Sequence, residues 1–168
     1  MSETLTQYGT NFQSKILTSL LTDVKYTKQI LDIIEINYFD SDSNKFIIKS
    51  IKDYFKKYKT NPTMEALKVM VDEVDNDVLK TSIVDSLRNA WQHRESNDLE
   101  FVKEKSLEFC KNQVVKNAIM ESVELLESQK YDDIKRIIDD AMKAGVETDI
   151  GHEYITGLEE RLTKQTRV

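Results

Sequence analysis

Glycine is almost absent from the interior of this chain, and that absence limits the folds the chain can adopt. The four glycines are Gly9, Gly145, Gly151 and Gly157, and the one proline is Pro62. Turns that need a positive φ are therefore scarce. Apolar residues recur at helical spacing through most of the 168 residues, whereas no alternation typical of a strand persists. The sequence predicts an all-α fold.

Residues 11–95 are predicted to form a helical head of about five short helices. Polar residues with capping side chains separate the apolar runs, and they include Asn11 before the first run and Asp23 before the second. Pro62 favours a helix start after the third run. The residues before the first run are polar, and residues 1–10 are expected to form a flexible leader.

Residues 96–146 predict a long helical hairpin within the same domain. The stretch from Asp98 to Ser128 contains neither glycine nor proline, and a helix of that length extends ~45 Å at 1.5 Å per residue. Residues 128–130 are polar and are expected to turn the chain. The return helix is expected to stop at Gly145, because glycine is common just after a helix end.

Apolar residues of the first hairpin arm lie on more than one side of the helix, so the return arm alone cannot cover them. Two explanations have similar weight: the arm packs against the head, or it forms an interface between subunits. The candidate interface residues are Val114, Ala118, Ile119, Tyr131, Ile134 and Ile138.

The last part of the chain has an amphipathic pattern without an evident partner in the domain. From Gly151 to Val168 the apolar side consists of Ile155, Leu158 and Leu162, and the rest is mostly polar. The chain then stops without a capping residue, as an interrupted chain would.

A stripe of lysines is predicted along one side of the third helix. Steps of three and four residues align Lys45, Lys49, Lys52, Lys56 and Lys59. Such a stripe suits phosphate or an acidic patch on a protein partner, although a solvated helix face is commoner. Tyr54, Phe55 and Tyr58 are expected on the buried side, and the net charge of −6 repels nucleic acid. Any DNA contact is therefore expected to be weak or indirect.

Motifs for catalysis and metal binding are missing from the sequence. No two glycines are spaced for a phosphate-binding loop, so no cofactor and no ATP hydrolysis are expected in this chain. Two histidines and one cysteine are too few for a zinc site, and Cys110 is expected to be a buried structural thiol. A lone cysteine and the lack of a long apolar run favour a cytoplasmic protein without a membrane span.

Three segments resemble the N-terminal domain of DnaB-like replicative DNA helicases, especially those of bacteriophages. Residues 11–21, NFQSKILTSLL, resemble the opening helix of that family. Residues 38–68, YFDSDSNKFIIKSIKDYFKKYKTNPTMEALK, resemble its Tyr-Phe loop, central helix and proline-initiated next helix. Residues 150–162, IGHEYITGLEERL, resemble the segment that leads to the interdomain linker. The resemblance covers nearly the whole chain after residue 10.

The resemblance implies a non-catalytic collar domain. In such helicases six N-terminal domains form a collar on the ATPase ring, their hairpins pair between subunits, and the collar binds primase and sometimes the helicase loader. This chain would then self-associate, as a dimer up to a hexamer, through residues 96–146.

The same resemblance implies that residues 147–168 begin the linker to a motor domain absent from this chain. The linker helix would contain Tyr154, Ile155, Leu158 and Leu162. ATP and Mg would bind the motor domain, whose Walker motifs would follow Val168. No catalytic residue is carried over to this chain, and the whole protein would be an ATP-dependent DNA helicase.

Two other hypotheses remain open. A stand-alone helical adaptor that binds replication partners would have the same composition but no motor domain. A small α-helical enzyme is less favoured, because no combination of base, nucleophile or metal ligands is present in the sequence.

Overall fold

The computed structural model describes residues 3–146, and these residues form helices connected by short loops. The α-helices are α1 (Thr10–Thr22), α2 (Val24–Ile30), α3 (Asp42–Tyr58), α4 (Met64–Asp72), α5 (Asp77–Gln92), α6 (Leu99–Glu127) and α7 (Tyr131–Lys143). Three short 3-10 helices lie at Leu5–Tyr8, Ile36–Tyr38 and His93–Glu95. The described part of the chain contains no strand, and the predicted all-α fold with a helical head and a long hairpin is confirmed.

Side-chain caps set the starts of four head helices. Asp23, Ser41, Thr63 and Asn76 each accept a hydrogen bond from the backbone N–H three residues later, at 3.0 to 3.1 Å. These bonds satisfy amide groups that have no partner within the helix. Helix α1 is different, because it begins at Thr10 after Gly9, whose φ is +87°. The prediction of Asn11 as the N-cap is therefore wrong.

The core of the head forms around α1. Ile16, Leu17 and Leu20 of this helix are fully buried. Helices α3, α5 and α6 pack against α1, as does the 3-10 helix after α5. The fully buried aliphatic residues of α3 and α5 that complete this core are Ile47, Ile48, Ile51 and Ile83.

The first half of α6 belongs to the head, and the second half belongs to the hairpin. Val102, Phe109 and Cys110 are buried in the same core cluster as α1. The Tyr26 hydroxyl lies 2.6 Å from the Ser106 hydroxyl, which ties α2 to α6 inside the core. The predicted boundary at residue 96 therefore does not separate two packing units, since α6 belongs to both the head and the hairpin.

The structure differs from the expectation of a flexible leader at residues 1–10. In the described part of that segment, the Leu5 side chain is fully buried and the Tyr8 ring stacks on Phe12 with centroids 4.6 Å apart. The Glu3 carboxylate lies 3.5 Å from the Lys116 ammonium of α6. One leucine in a mostly polar stretch was too weak a pattern to predict this packing.

Replacing Leu5 by alanine tests whether the N-terminal segment stabilises the head. We expect Leu5→Ala to lower the free energy of unfolding by about 2–4 kcal/mol, because it empties a fully buried site. The exposed neighbour Gln7 provides the matched control, Gln7→Ala. Equal stability of the two variants in urea denaturation would show that the Leu5 side chain does not stabilise the core.

An ion pair joins α6 to the start of α2. The Lys103 ammonium lies 2.8 Å from Asp23 Oδ2. Partial burial raises the pKa of the Asp23 carboxyl. The hydrogen bonds from Lys103 and the Tyr26 amide together lower this pKa by more than burial raises it, so the pKa lies below its usual value of 3.8. Asp23 thus stabilises the fold when ionised, and this stabilisation is lost as the pH falls through the lowered pKa.

Asp23→Asn keeps an N-cap acceptor and removes the charge. We expect this variant to be less stable by about 1 kcal/mol at pH 7, and the difference from the wild type to disappear as the pH falls through the lowered pKa of Asp23. Asp32→Asn, at an exposed position, serves as the control. A stability difference that does not change with pH would contradict a charge-dependent contact.

Candidate functional site

The hairpin extends from the head as two antiparallel helices, α6 and α7. Helix α6 has 29 residues, which corresponds to ~43 Å. The chain reverses at Gln129, which has a φ of +59°. The Gln129 and Lys130 amides donate to the carbonyls of Leu126 and Leu125 at 3.0 and 2.9 Å. The predicted turn at residues 128–130 is confirmed.

The return helix brings the chain back to the head. Gly145 follows α7 with a φ of +74°, and a Cβ at this position would lie 2.9 Å from Ile33 Cδ1. Ala144 packs against the head core. A side chain at residue 145 would be strained by its backbone conformation and would press on Ile33. The hairpin is therefore joined to the head at both of its ends.

Two of the six predicted interface residues are covered within the chain. Ala118 is buried, as is Ala141 on α7, and these small side chains allow α6 and α7 to approach closely. Val114 packs against the head core. Ala118 and Val114 are therefore not part of a free surface in this chain. For Val114, the first hairpin arm packs against the head, as the first of the two explanations proposed.

Ile134 and Ile138 have an intermediate position. They share one side of α7 with the buried Ala141, since residues spaced by three and four lie on the same helix face. Both side chains are half-buried. Their main role in the described structure is the packing of α7 on α6.

A continuous part of the hairpin surface is apolar and exposed. Ile119 and Tyr131, both predicted interface residues, are more than half exposed. Four further exposed apolar residues of the hairpin were not among the predicted interface residues, because their exposure depends on where α7 lies. We define the hairpin face as Ile119, Met120, Val123, Leu126, Tyr131 and Met142.

Packing and helix geometry place five of these six residues, all but Tyr131, together. Ile119, Met120 and Met142 line one groove of about 520 Å³ between α6 and α7. Val123 and Leu126 follow Ile119 by four and seven residues, which places them on the same side of α6. Large contiguous apolar patches are uncommon on monomer surfaces and often mark protein–protein contacts, in which methionine and aromatic residues are enriched. The hairpin face therefore has the composition of an interface.

Lys45, Lys49, Lys52 and Lys56 lie along one side of α3, whereas Lys59 follows the end of the helix with a φ of +61°. The charges of these lysines are not equally available. Lys49 pairs with Asp53 at 2.9 Å, and the Lys52 ammonium donates to the Ile34 carbonyl at 2.6 Å. Lys45 is half-buried, whereas Lys56 and Lys59 are exposed at the C-terminal end of α3. The stripe is therefore not a uniform cationic surface.

The aromatic residues of α3 differ partly from the expectation that all three face the core. Phe55 packs against the core and Tyr54 is half-buried, but Tyr58 is more than half exposed. The Lys57 ammonium lies 5.3 Å from the centroid of the Tyr58 ring. Tyr58 was misplaced because it lies in the last turn of α3, beyond the part of the helix that the head covers.

The described residues hold no cluster suited to metal binding. Among residues 3–146 no group of three or more histidine, cysteine, aspartate or glutamate side chains is close enough to hold an ion. Cys110 is fully buried, and burial raises the pKa of its thiol to about 12, which suits a structural thiol and not a nucleophile.

Two further expectations concern membranes and the linker. Within residues 3–146, none of the helices combines the length and the apolar character that crossing a bilayer requires. The linker residues Tyr154, Ile155, Leu158 and Leu162 lie outside the described residues.

Comparison with known proteins gives no match for this chain among family models, curated proteins or solved structures. The resemblance to helicase N-terminal domains therefore stays a prediction that depends on the three segments quoted above.

Adjacent positions on α6 should respond differently to substitution. We expect Ala118→Leu to lower the free energy of unfolding by about 1–3 kcal/mol, because the larger side chain must separate α6 from α7. Ile119→Ser should change the stability of the monomer by less than about 0.5 kcal/mol, because this side chain is exposed. Thermal unfolding in dilute solution measures the stability of both variants. Similar losses of stability would contradict the assignment of Ala118 to the packed side of α6 and of Ile119 to its exposed side.

Proposed function

We propose that this chain is the non-catalytic N-terminal collar domain of a hexameric replicative DNA helicase, which assembles subunits and binds primase or the helicase loader during DNA replication. The observation that carries this proposal is the exposed, apolar hairpin face on a pair of helices joined to the head at both ends. The order of the three segments that resemble the helicase family supports the same function.

The shape of the hairpin supports self-association in particular. An antiparallel helix pair with an apolar side can meet a copy of itself around a two-fold axis, so that each residue of the face contacts the partner's face. Burial of exposed apolar side chains favours such contact by about 25 cal/mol per Å². The groove beside Ile119 offers a place for a side chain of the second copy.

The remaining parts of the proposal assign no chemistry to this chain. ATP and Mg would act in the motor domain, and single-stranded DNA would pass through the assembled ring. Direct DNA contact through α3 would be weak, since Lys49 and Lys52 already have partners within the chain. A cytoplasmic location suits both replication and the reduced thiol of Cys110.

The proposal is tested by placing charge on the hairpin face. We expect the wild-type chain to sediment with a mass that rises with concentration, and Ile119→Asp/Val123→Asp to remain a monomer, because two buried carboxylates would have no partner across the interface. Ile134 and Ile138 are less suitable positions, because their substitution would also disturb the packing of α7 on α6.

Val78→Asp is the matched control, because Val78 is an exposed apolar residue on α5, away from the hairpin. It should associate like the wild type. If the wild-type chain stays monomeric at all concentrations, or if both variants associate equally, the hairpin face is not a subunit interface. A stand-alone adaptor would then be the better hypothesis.

A further inference from the structure

A second apolar groove lies on the head, between α4 and α5. Its volume is about 420 Å³, and its apolar lining includes Met64, Val71, Val84, Leu87 and Trp91. Val71 and Leu87 are buried and form its floor, whereas Val84 and Trp91 are each 40% exposed. The groove therefore presents a large aromatic side chain and a methionine to the solvent.

Trp91 is held in place by its neighbour Arg94. The Arg94 guanidinium carbon lies 4.9 Å from the centroid of the Trp91 ring, and Nη1 donates to the Trp91 carbonyl at 2.9 Å. This contact restrains the ring, so that less conformational freedom is lost when a partner covers it. Tryptophan and arginine are also the residues most often found at the energetic centre of protein interfaces.

The rim of the groove carries more positive than negative charge. Lys68 of α4 and Arg88 of α5 line it, together with one acid, Asp72. The Asp72 carboxylate has a cation within 4.0 Å, the Lys80 ammonium. Arg88 lies 3.6 Å from Asp85, but both side chains are about two-thirds exposed, so this pair is weak and can be replaced. A cationic rim is notable in a chain with a net charge of −6.

We infer that this groove binds an amphipathic helix of a partner protein, with an apolar side that covers Trp91 and acidic residues at its edges. A channel between two helices with an apolar floor suits the apolar side of a third helix. Acidic edges would place carboxylates beside Lys68 and Arg88, which favours this helix over one with basic edges. The inference deepens the partner-binding part of the proposed function, because it gives that role a surface and a ligand chemistry.

A displayed library of 18-residue helical peptides tests the inference. Leucine or phenylalanine is fixed at positions i, i+3, i+4 and i+7, and the flanking positions are randomised among glutamate, lysine and glutamine. We expect selection on the wild-type chain to enrich glutamate at the flanks. Because Trp91 is the only tryptophan in the chain, its emission should shift to shorter wavelength when a selected peptide binds.

Three variants locate the binding site. Val84→Asp should abolish binding of the selected peptide, and Lys68→Glu/Arg88→Glu should weaken it about tenfold and favour peptides with lysine flanks. Val69→Asp is the control, because Val69 is exposed on α4 but does not line the groove. The double charge variant changes only exposed side chains, so it keeps the test valid if Val84→Asp does not fold.

Several results would overturn the inference. They are the absence of glutamate enrichment, an unchanged Trp91 emission on peptide binding, or equal binding by the control and the groove variants. A shift of Trp91 emission with protein concentration alone, lost in Val84→Asp, would instead assign the groove to a second copy of the chain. Self-association through the hairpin is measured separately by sedimentation, so either proposal can fail without the other.

Discussion

Packing inside the head fixes helix α6, and the position of the hairpin follows from that packing. The first half of this helix contributes Val102, Phe109 and Cys110 to the head core. The hydrogen bond between Tyr26 and Ser106 and the ion pair between Asp23 and Lys103 join it to α2. The second half then extends beyond the head as a continuous helix, so its direction is set by contacts made in the core.

This arrangement explains why apolar residues surround α6 on several sides. Its N-terminal half faces the head, and its C-terminal half faces α7 through Ala118 and leaves the hairpin face exposed. A helix with such different neighbours along its length does not show a single apolar stripe. The proposed partner groove lies on other helices, α4 and α5, so the two proposed interfaces use separate elements of the domain.

The helices were predictable from the sequence because their local signals agree with the tertiary structure. Asp23 is an N-cap at the expected place, and Gly145 adopts the positive φ expected after a helix end. The burial of Leu5 was not predictable, because the surroundings of one leucine in a polar segment depend on residues distant in sequence.

The candidate site was predictable only in part, for the same reason. Periodicity identified surplus apolar residues on the hairpin but could not tell which neighbour covers each of them. Ala118 was therefore assigned to the interface although α7 covers it, and Val123 was omitted although it is exposed. The lysine spacing placed Lys45, Lys49, Lys52 and Lys56 along α3 but not Lys59, which lies beyond the end of the helix. The hydrogen bond from Lys52 to the Ile34 carbonyl depends on how the loop after α2 folds.

Contact between the hairpin face and another copy of the chain can be measured by nuclear Overhauser effects between molecules. A mixture of methyl-labelled deuterated chain and unlabelled protonated chain restricts the signals to contacts between copies. We expect intermolecular effects at the methyl groups of Ile119, Val123 and Leu126 and none at Val78 of α5. Intermolecular effects at head methyl groups alone, or none at any concentration, would contradict this expectation.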